Sequence, residues 1–308
     1  MNASQFRSRL KPWILPLAML TGALAHNHIG LLAPLAPYLI FVMLFIAFCR
    51  INPRQITLGR LSWRLLMVQL VGSMALYFVL LPVDETLAQG AFICVFCPTA
   101  TAAPVITGLL GGSVSRLVSY SLVSNIAVAS LAPGLFTMMG SGHMDYFDSV
   151  RLIAMRVVPL IVAPLVAAFV LSVLWPRAHK AVASHQGLSF YVWAVSLIIV
   201  VGQAVSFVLA EPPAMIPVMI ALAVLSGLAC VGQFYVGRRI GRGAVADPVS
   251  GGQGLGQKNT VLAVWMAMTY LNPVSSVAPA AYVAWQNTIN SIQIYMHQRR
   301  ETKAGAKQ

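Results

Sequence analysis

The amino-acid sequence predicts an all-α integral membrane protein of ten transmembrane helices, arranged as two inverted five-helix repeats with broken crossing helices in spans four and nine. Three observations predict it. The 308 residues are 58% hydrophobic and only 9% charged, with mean hydropathy +0.80, whereas a soluble domain carries about 25% charged residues. The apolar residues fall in long runs separated by short polar connectors. The basic and acidic residues sort onto alternate connectors. A chain this poor in charge cannot cover a water-facing surface, so lipid is the solvent for most of it. Backbone groups in hydrocarbon must be satisfied within their own segment, which requires helices. The strict apolar/polar alternation of a membrane β-barrel is absent.

A membrane span needs about 20 mostly apolar residues. Ten segments qualify, over 12–26, 31–49, 62–83, 86–110, 114–139, 149–175, 187–210, 214–236, 250–271 and 275–297. The first follows Arg7, Arg9 and Lys11 in the manner of a signal peptide. No small-residue cleavage site stands out after it, so it reads as a retained, short helix, tilted or half-inserted. The whole chain, 1–308, reads as one membrane unit: repeat one over 12–139, repeat two over 149–297, and a basic tail over 298–308.

The charges orient this map. With the N-terminus inside, inner segments hold Arg7, Arg9, Lys11, Arg50, Arg54, Arg60, Arg64, Arg116, Arg177, Lys180, Arg238, Arg239, Arg242, Arg299, Arg300, Lys303 and Lys307. Outer connectors hold Asp84, Glu85, Asp145, Asp148 and Glu211. Basic residues retained on one side are the mark of a cytoplasmic face, so both termini are expected in the cytoplasm and the protein in the cytoplasmic membrane. The formal charge of +13 is thereby explained by topology, and nucleic acid is not an expected partner.

Span four is interrupted around Cys97-Pro98-Thr99-Ala100-Thr101-Ala102-Ala103-Pro104, and span nine around Ser250-Gly251-Gly252-Gln253-Gly254-Leu255-Gly256-Gln257-Lys258-Asn259. Each is the fourth span of its half, and an odd number of spans per half inverts one half relative to the other. Interrupted segments at matching positions of inverted halves point to a transporter's binding site; either break alone is equally well a proline kink. Lys258 is the one charge expected near the bilayer midplane, at about 2.5–3.5 kcal/mol on insertion scales. Its partner must be a backbone carbonyl, a side-chain oxygen or a bound anion, because no acid lies within a predicted span. Four readings compete: direct binding of a substrate carboxylate, substitution for a coupling cation, proton carriage, and a snorkelling side chain at a displaced helix end. Arg156 snorkels or faces an outer vestibule.

The polar residues in and near the breaks are Thr99, Thr101, Thr107, Ser121, Ser124, Asn125, Gln253, Gln257, Asn259 and Thr260. Those within the breaks are the stronger candidates, since irregular backbone at membrane depth lines a cavity or is buried in protein. In the last span, Gln286, Asn287, Asn290 and Gln293 give a polar face. The cysteines Cys49, Cys94, Cys97 and Cys230 lie in or at the end of apolar runs, where packing is the simplest role. Cys94 and Cys97 share a face, but zinc needs about four ligands and no histidine is expected at that depth. No metal or other cofactor is expected.

Three stretches then resemble a known family. Pro98 to Gly112, with Thr99-Ala100, Val105-Ile106-Thr107 and a closing Gly111-Gly112, is similar to the broken fourth helix of the bile acid:sodium symporters. Gly254 to Ala263, ending Asn259-Thr260-Val261-Leu262-Ala263, is similar to their broken ninth helix, and Pro279-Ala280-Ala281 through Trp285-Gln286-Asn287 to their tenth. The resemblance implies a panel domain and a core domain that move relative to one another. It implies organic-anion substrates, from bile acids to smaller carboxylates such as keto acids. The residues of the breaks and of the last span expected to contact such a substrate are Thr99, Thr101, Thr107, Lys258, Asn259, Gln286 and Asn287. The family's sodium ligands are largely replaced. Ala103 and Pro104 stand where a Ser-Asn pair is expected, and Gly254 (or Gln253, with the register slipped by one) where a glutamate is. Leu117 stands at one of two hydroxyl positions, with Ser121 at the other, and Lys258 at a glutamine. Sodium is a hard cation that wants oxygen ligands, preferably carboxylate, so the expectation is sodium-independent transport. Lys258 would replace a coupling cation, with Gln253, Gln257 and Ser121 around it. Other readings are a sodium symporter with relocated ligands, a metalloid efflux carrier using Cys94 and Cys97, and a transport-inactive sensor. A membrane enzyme would need a catalytic acid, a histidine or a metal cluster in the spans, and none is there, so no enzymatic activity is expected.

Overall fold

The computed structural model describes residues 17–49, 59–100, 103–140, 146–184, 186–210 and 212–305. Among them the protein is all-α. A helix over 17–24 (α1) and short helical turns at His26–Ile29 and Gly30–Leu35 lead into α2 (Ala36–Phe48). There follow α3 (Arg60–Leu80), α4 (Glu85–Phe96), α5 (Ala103–Leu109), α6 (Val114–Met139), α7 (Tyr146–Leu174), α8 (Pro176–Ser184) and α9 (Gln186–Ala210). The chain closes with α10 (Ile216–Val245), α11 (Pro248–Gly256), α12 (Thr260–Tyr270) and α13 (Val277–Gly305).

Among the described residues, five helical stretches are long and apolar enough to cross a membrane: Leu31–Phe48, Arg60–Leu80, Val114–Met139, Ile153–Leu174 and Pro213–Val245. Their outward faces carry the residues lipid requires. On α3 these are Trp63, Met67, Val71 and Phe78; on α10 they are Ile216, Ile220, Val224, Leu228 and Val231, all exposed and spaced about one or two turns apart. Polar side chains turn inward instead: Gln69, Ser73, Ser124, Ser226 and Gln233 are all buried.

Both expected interruptions exist, and both are shorter than the sequence indicated. The first parts α4 from α5, with Thr101 and Ala102 outside the described residues. The second is confined to Gln257-Lys258-Asn259, because Ser250–Gly256 continues as helix α11. Its glycines are not breakers here. Gly251 and Gly252 are packed against Gly237, Gly241 and Arg238 of α10, so closely that a Cβ would not fit. The turn that folds α11 back onto α10 uses Ala246 in the left-handed conformation (φ 55°).

The opposite ends of the two broken elements are each tied to a neighbouring loop. At one end Gln89 of α4 accepts from Asn272 N (2.7 Å) and donates to Met139 O (3.0 Å), while Asn272 Nδ2 donates to Thr86 (3.1 Å). At the other, Asp247 caps α11 by accepting from Ser250 N (3.0 Å) and also holds Ser113 N (3.1 Å) and Arg116 Nη1 (3.3 Å) at the start of α6. Burial alone would raise the Asp247 pKa. The hydrogen bonds from Ser250, Ser113 and Arg116 outweigh it and hold the carboxyl below its ordinary 3.8. This ionised carboxylate therefore stabilises the fold above the normal carboxylate range, and the contribution is lost as pH falls through the lowered value. We expect wild type to lose more thermal stability than Asp247→Asn on acidification below about pH 4. Parallel melting curves across pH check this, and identical slopes would refute it.

Candidate functional site

The two breaks meet. Thr99 and Lys258 face each other as an antiparallel bridge, with Ala100 N donating to Gln257 O (3.0 Å) and Asn259 N to Pro98 O (2.8 Å). The side chains repeat the exchange. Thr99 Oγ1 donates to Gly254 O (2.9 Å), and Lys258 Nζ donates to Val95 O (2.7 Å). Thr99 and Lys258, Val95 and Gly254, Ala100 and Asn259, Pro98 and Gln257 are separated by the same number of positions. Each contact on one side of the crossing thus has a counterpart on the other, which is local two-fold symmetry. The chemistry is not symmetric: one arm is a neutral hydroxyl and the other an ammonium.

The reason for these contacts lies in helix ends. The last carbonyls of a helix have no partner within it, and where they are buried each must find one. At the end of α4, Ile93 O accepts from Cys97 N. Cys94 O accepts from Gln233 Nε2 (3.3 Å), Val95 O from Lys258, and Phe96 O and Cys97 O from Gln69 Nε2 (2.6 and 3.3 Å). Three other elements thus satisfy one helix end. At the end of α11, Gln253 O accepts from Gln257 N (3.1 Å), Gly254 O from Thr99, and Gly256 O from Tyr282 OH (2.9 Å). The negative end of the α4 dipole receives the lysine Nζ, which in its protonated form is the favourable pairing, whereas the end of α11 receives neutral donors.

Gln69, Tyr120, Gln233 and Tyr282 were not among the sequence candidates. Gln69 Oε1 accepts from Tyr120 OH (2.7 Å) and Ser124 Oγ (2.8 Å) while its amide clamps α4. Gln233 Nε2 donates to Tyr282 OH (3.0 Å), which clamps α11. A glutamine and a tyrosine 51 residues apart in the first half are matched by a pair 49 apart in the second. The available signal was a lone amide in each of two otherwise apolar runs. Gln69→Leu strands two carbonyls and two hydroxyls. At about 1–3 kcal/mol for each buried unsatisfied group, it should lower the melting temperature by well over ~5 °C by thermal denaturation in detergent; an unshifted melt would show that Gln69 is dispensable.

The other sequence candidates divide. Asn259 takes part fully: its Oδ1 caps Leu262 N (3.3 Å) and its carbonyl accepts from Cys97 Sγ (3.2 Å). Gln286 Oε1 accepts from Lys258 N (3.0 Å). Gln257 joins through its backbone. Gln253 points away, donating to Asn290 Oδ1 (3.1 Å) and Gln293 Oε1 (3.2 Å). Thr107 is buried in α5. Asn287 is half-buried, and the crossing is met by Gln286 beside it. Ser121 is half-buried, and Tyr120 and Ser124 on the same helix make the contacts instead. Thr101 lies outside the described residues. Arg156 is in α7. Among the described residues no three His, Cys, Asp or Glu side chains gather as metal ligands.

The crossing is sealed: Thr99, Lys258 and Gln286 are each 1% exposed. At the start of α12, Asn259 Nδ2 and Thr260 Oγ1 are buried polar atoms with no hydrogen-bond partner among the described residues. Farther along α12, Trp265 and Thr269 line a cleft of about 420 Å³ together with Leu160 of α7 and Ala33, Pro34 and Pro37. No protein-family model matches this chain, and no curated protein matches it.

Proposed function

We propose that this protein is a sodium-independent secondary transporter of small organic anions, built of ten transmembrane helices in two inverted five-helix repeats, with Lys258 in the place of a coupling cation. The observation that carries the reading is the reciprocal exchange at the crossing, where Lys258 Nζ bonds Val95 O as Thr99 bonds Gly254 O. Broken helices meeting in this way are what inverted-repeat transporters use to place substrate and coupling ion. The matched glutamine–tyrosine clamps favour the same repeat. Charge segregation along the sequence favours both termini in the cytoplasm.

The residues do not suit a sodium ion. Ala103, Pro104, Gly254 and Leu117 offer no side-chain oxygen, and Gln253 directs its NH2 at α13. An ammonium a few ångströms from a second cation is repelled by about 4 kcal/mol at an effective dielectric of about 20. An organic carboxylate suits the site better. The N-terminus of α12 presents positive dipole to the crossing, and Asn259 Nδ2 and Thr260 Oγ1 lie there unpaired among the described residues. The cleft beside Trp265 and Thr269 offers an approach along the same helix.

The test is uptake of labelled carboxylates by purified protein in liposomes, with the sodium gradient replaced by potassium. We expect equal rates. Uptake that needs sodium would return the chain to the sodium symporters with relocated ligands, and no uptake of any carboxylate would favour a sensor.

A further inference from the structure

Gln286, Asn290 and Gln293 stand at i, i+4 and i+7 of α13, on one helix face. Gln286 and Asn290 are buried and Gln293 is half-buried. The stripe begins at the crossing, where Gln286 accepts from Lys258 N. It ends at Arg238 of α10, whose Nη1 donates to Gln293 Oε1 (3.1 Å). Seven residues of helix place these ends about 10 Å apart. Gln253 of α11 spans the middle, donating to both Asn290 and Gln293.

Interhelical glue would explain amides paired with one another. It does not explain two further features. Gln253 Oε1 and Thr107 Oγ1, on the packed helices α11 and α5, are buried with no hydrogen-bond partner among the described residues. Buried polar atoms in this condition are normally met by ordered water. Arg238 also behaves unlike its neighbour. Arg239 turns to Tyr235 OH on the exposed surface (3.1 Å), whereas Arg238 lays its stem across Gly252 and directs its guanidinium to Gln293. A half-buried guanidinium at the end of a polar stripe is suited to a carboxylate, which it binds through paired N–H donors.

We propose that this stripe is a hydrated column by which the organic anion passes between the inner face and the crossing, with Arg238 binding its carboxylate at the mouth. The proposal rests on the transporter reading above and adds the route and the first docking residue on one side. Two measurements in proteoliposomes of known orientation test it. In the first, the probe is a membrane-impermeant, negatively charged methanethiosulfonate applied from the inner side. Gln293→Cys should react at least ~10-fold faster than the outward-facing Ile292→Cys, and Arg238→Gln should slow that reaction, since a nearby positive charge concentrates an anionic reagent. The native cysteines are buried, and wild type gives the background. Equal rates at 292 and 293 would overturn the column. In the second, Arg238→Gln should raise KM for carboxylates presented at the inner face by ~10-fold, leave the outer KM unchanged, and be partly rescued by Arg238→Lys, which keeps the charge and loses the fork. An unchanged inner KM, or an equal rise on both sides, would overturn the docking role. If wild type carries no carboxylate, the transporter reading fails by itself, and the labelling rates still decide whether the column is wet.

Discussion

Lys258→Met should abolish carboxylate uptake, by ~100-fold or more, while leaving the melting temperature within a few degrees of wild type. The two halves of this expectation come from opposite sides of one balance. Removing the ammonium strands Val95 O, now held at 2.7 Å, at a penalty of about 1–3 kcal/mol for an unsatisfied buried carbonyl. It also removes a side chain that is 1% exposed and has no carboxylate partner among the described residues, a charge that on insertion scales disfavours the fold by about 2.5–3.5 kcal/mol. The changes nearly cancel, and methionine fills much of the same volume. Function has no such compensation, because the α4 dipole then ends on the crossing without a cation. A side chain that contributes little net stability and is indispensable for transport is held for transport. Uptake near the wild-type rate would reduce Lys258 to a packed side chain. A collapse of the melting temperature along with activity would make it a structural tie. Lys258→Gln separates the cation-substitute role further, because an amide oxygen could again receive sodium. Sodium should raise the melting temperature of that variant over its value in choline, and should leave wild type unmoved.

How much of this was legible beforehand depended on whether a feature announces itself in one residue or needs two. Lys258 was visible as the one charge deep in an apolar run. Its partner was not, because a backbone carbonyl of Val95 carries no signal that distinguishes it from any other. The fifth expected span, 114–139, coincides with helix α6, Val114–Met139, whereas the eighth, 214–236, stops short of the end of α10, Ile216–Val245. The first break was marked by Pro98 and Pro104, the second by glycines and a lysine. There the reading overreached, since a glycine run can equally be a helix face built for close contact, and Gly251 is of that kind. The clamps escaped because Gln69 and Gln233 are lone polar residues whose targets lie 27 and 139 positions away. A side chain's oddity is local information; what it touches is not. Among the candidate positions, Thr99, Asn259 and Gln286 make hydrogen bonds at the crossing, a convergence that motif similarity alone does not reveal.

The second large effect concerns those glycines. Gly251→Val should yield little folded protein, because the space for a side chain is occupied by another backbone. A Cβ on Gly251 would stand 2.9 Å from Gly241 Cα and closer still to the Gly237 carbonyl oxygen, and Cβ atoms on Gly237 and Gly241 would meet the carbonyls of Gly251 and Asp247. A flexible side chain could swing aside; a helical carbonyl cannot, so α10 and α11 must separate. Overpacking of cores costs about 1–3 kcal/mol where neighbours relax, and we place this substitution at or above the upper end. The consequence reaches the site, since α11 delivers Gly254 O to Thr99 and leads directly into Lys258. Even a rescued Gly251→Ala protein should therefore transport poorly. Gly243, exposed on the same α10 helix with nothing within 4 Å of where an added methyl group would stand, supplies the contrast: Gly243→Ala should be neutral or stabilising by up to about 1 kcal/mol. Fluorescence-detected size exclusion and melting curves of the three variants make the comparison. If Gly251→Val were as monodisperse and active as Gly243→Ala, the close approach of α10 and α11 would not be what fixes the crossing. The position of the ammonium would then have to be set by the Gln233–Tyr282 clamp and by Gln286 alone.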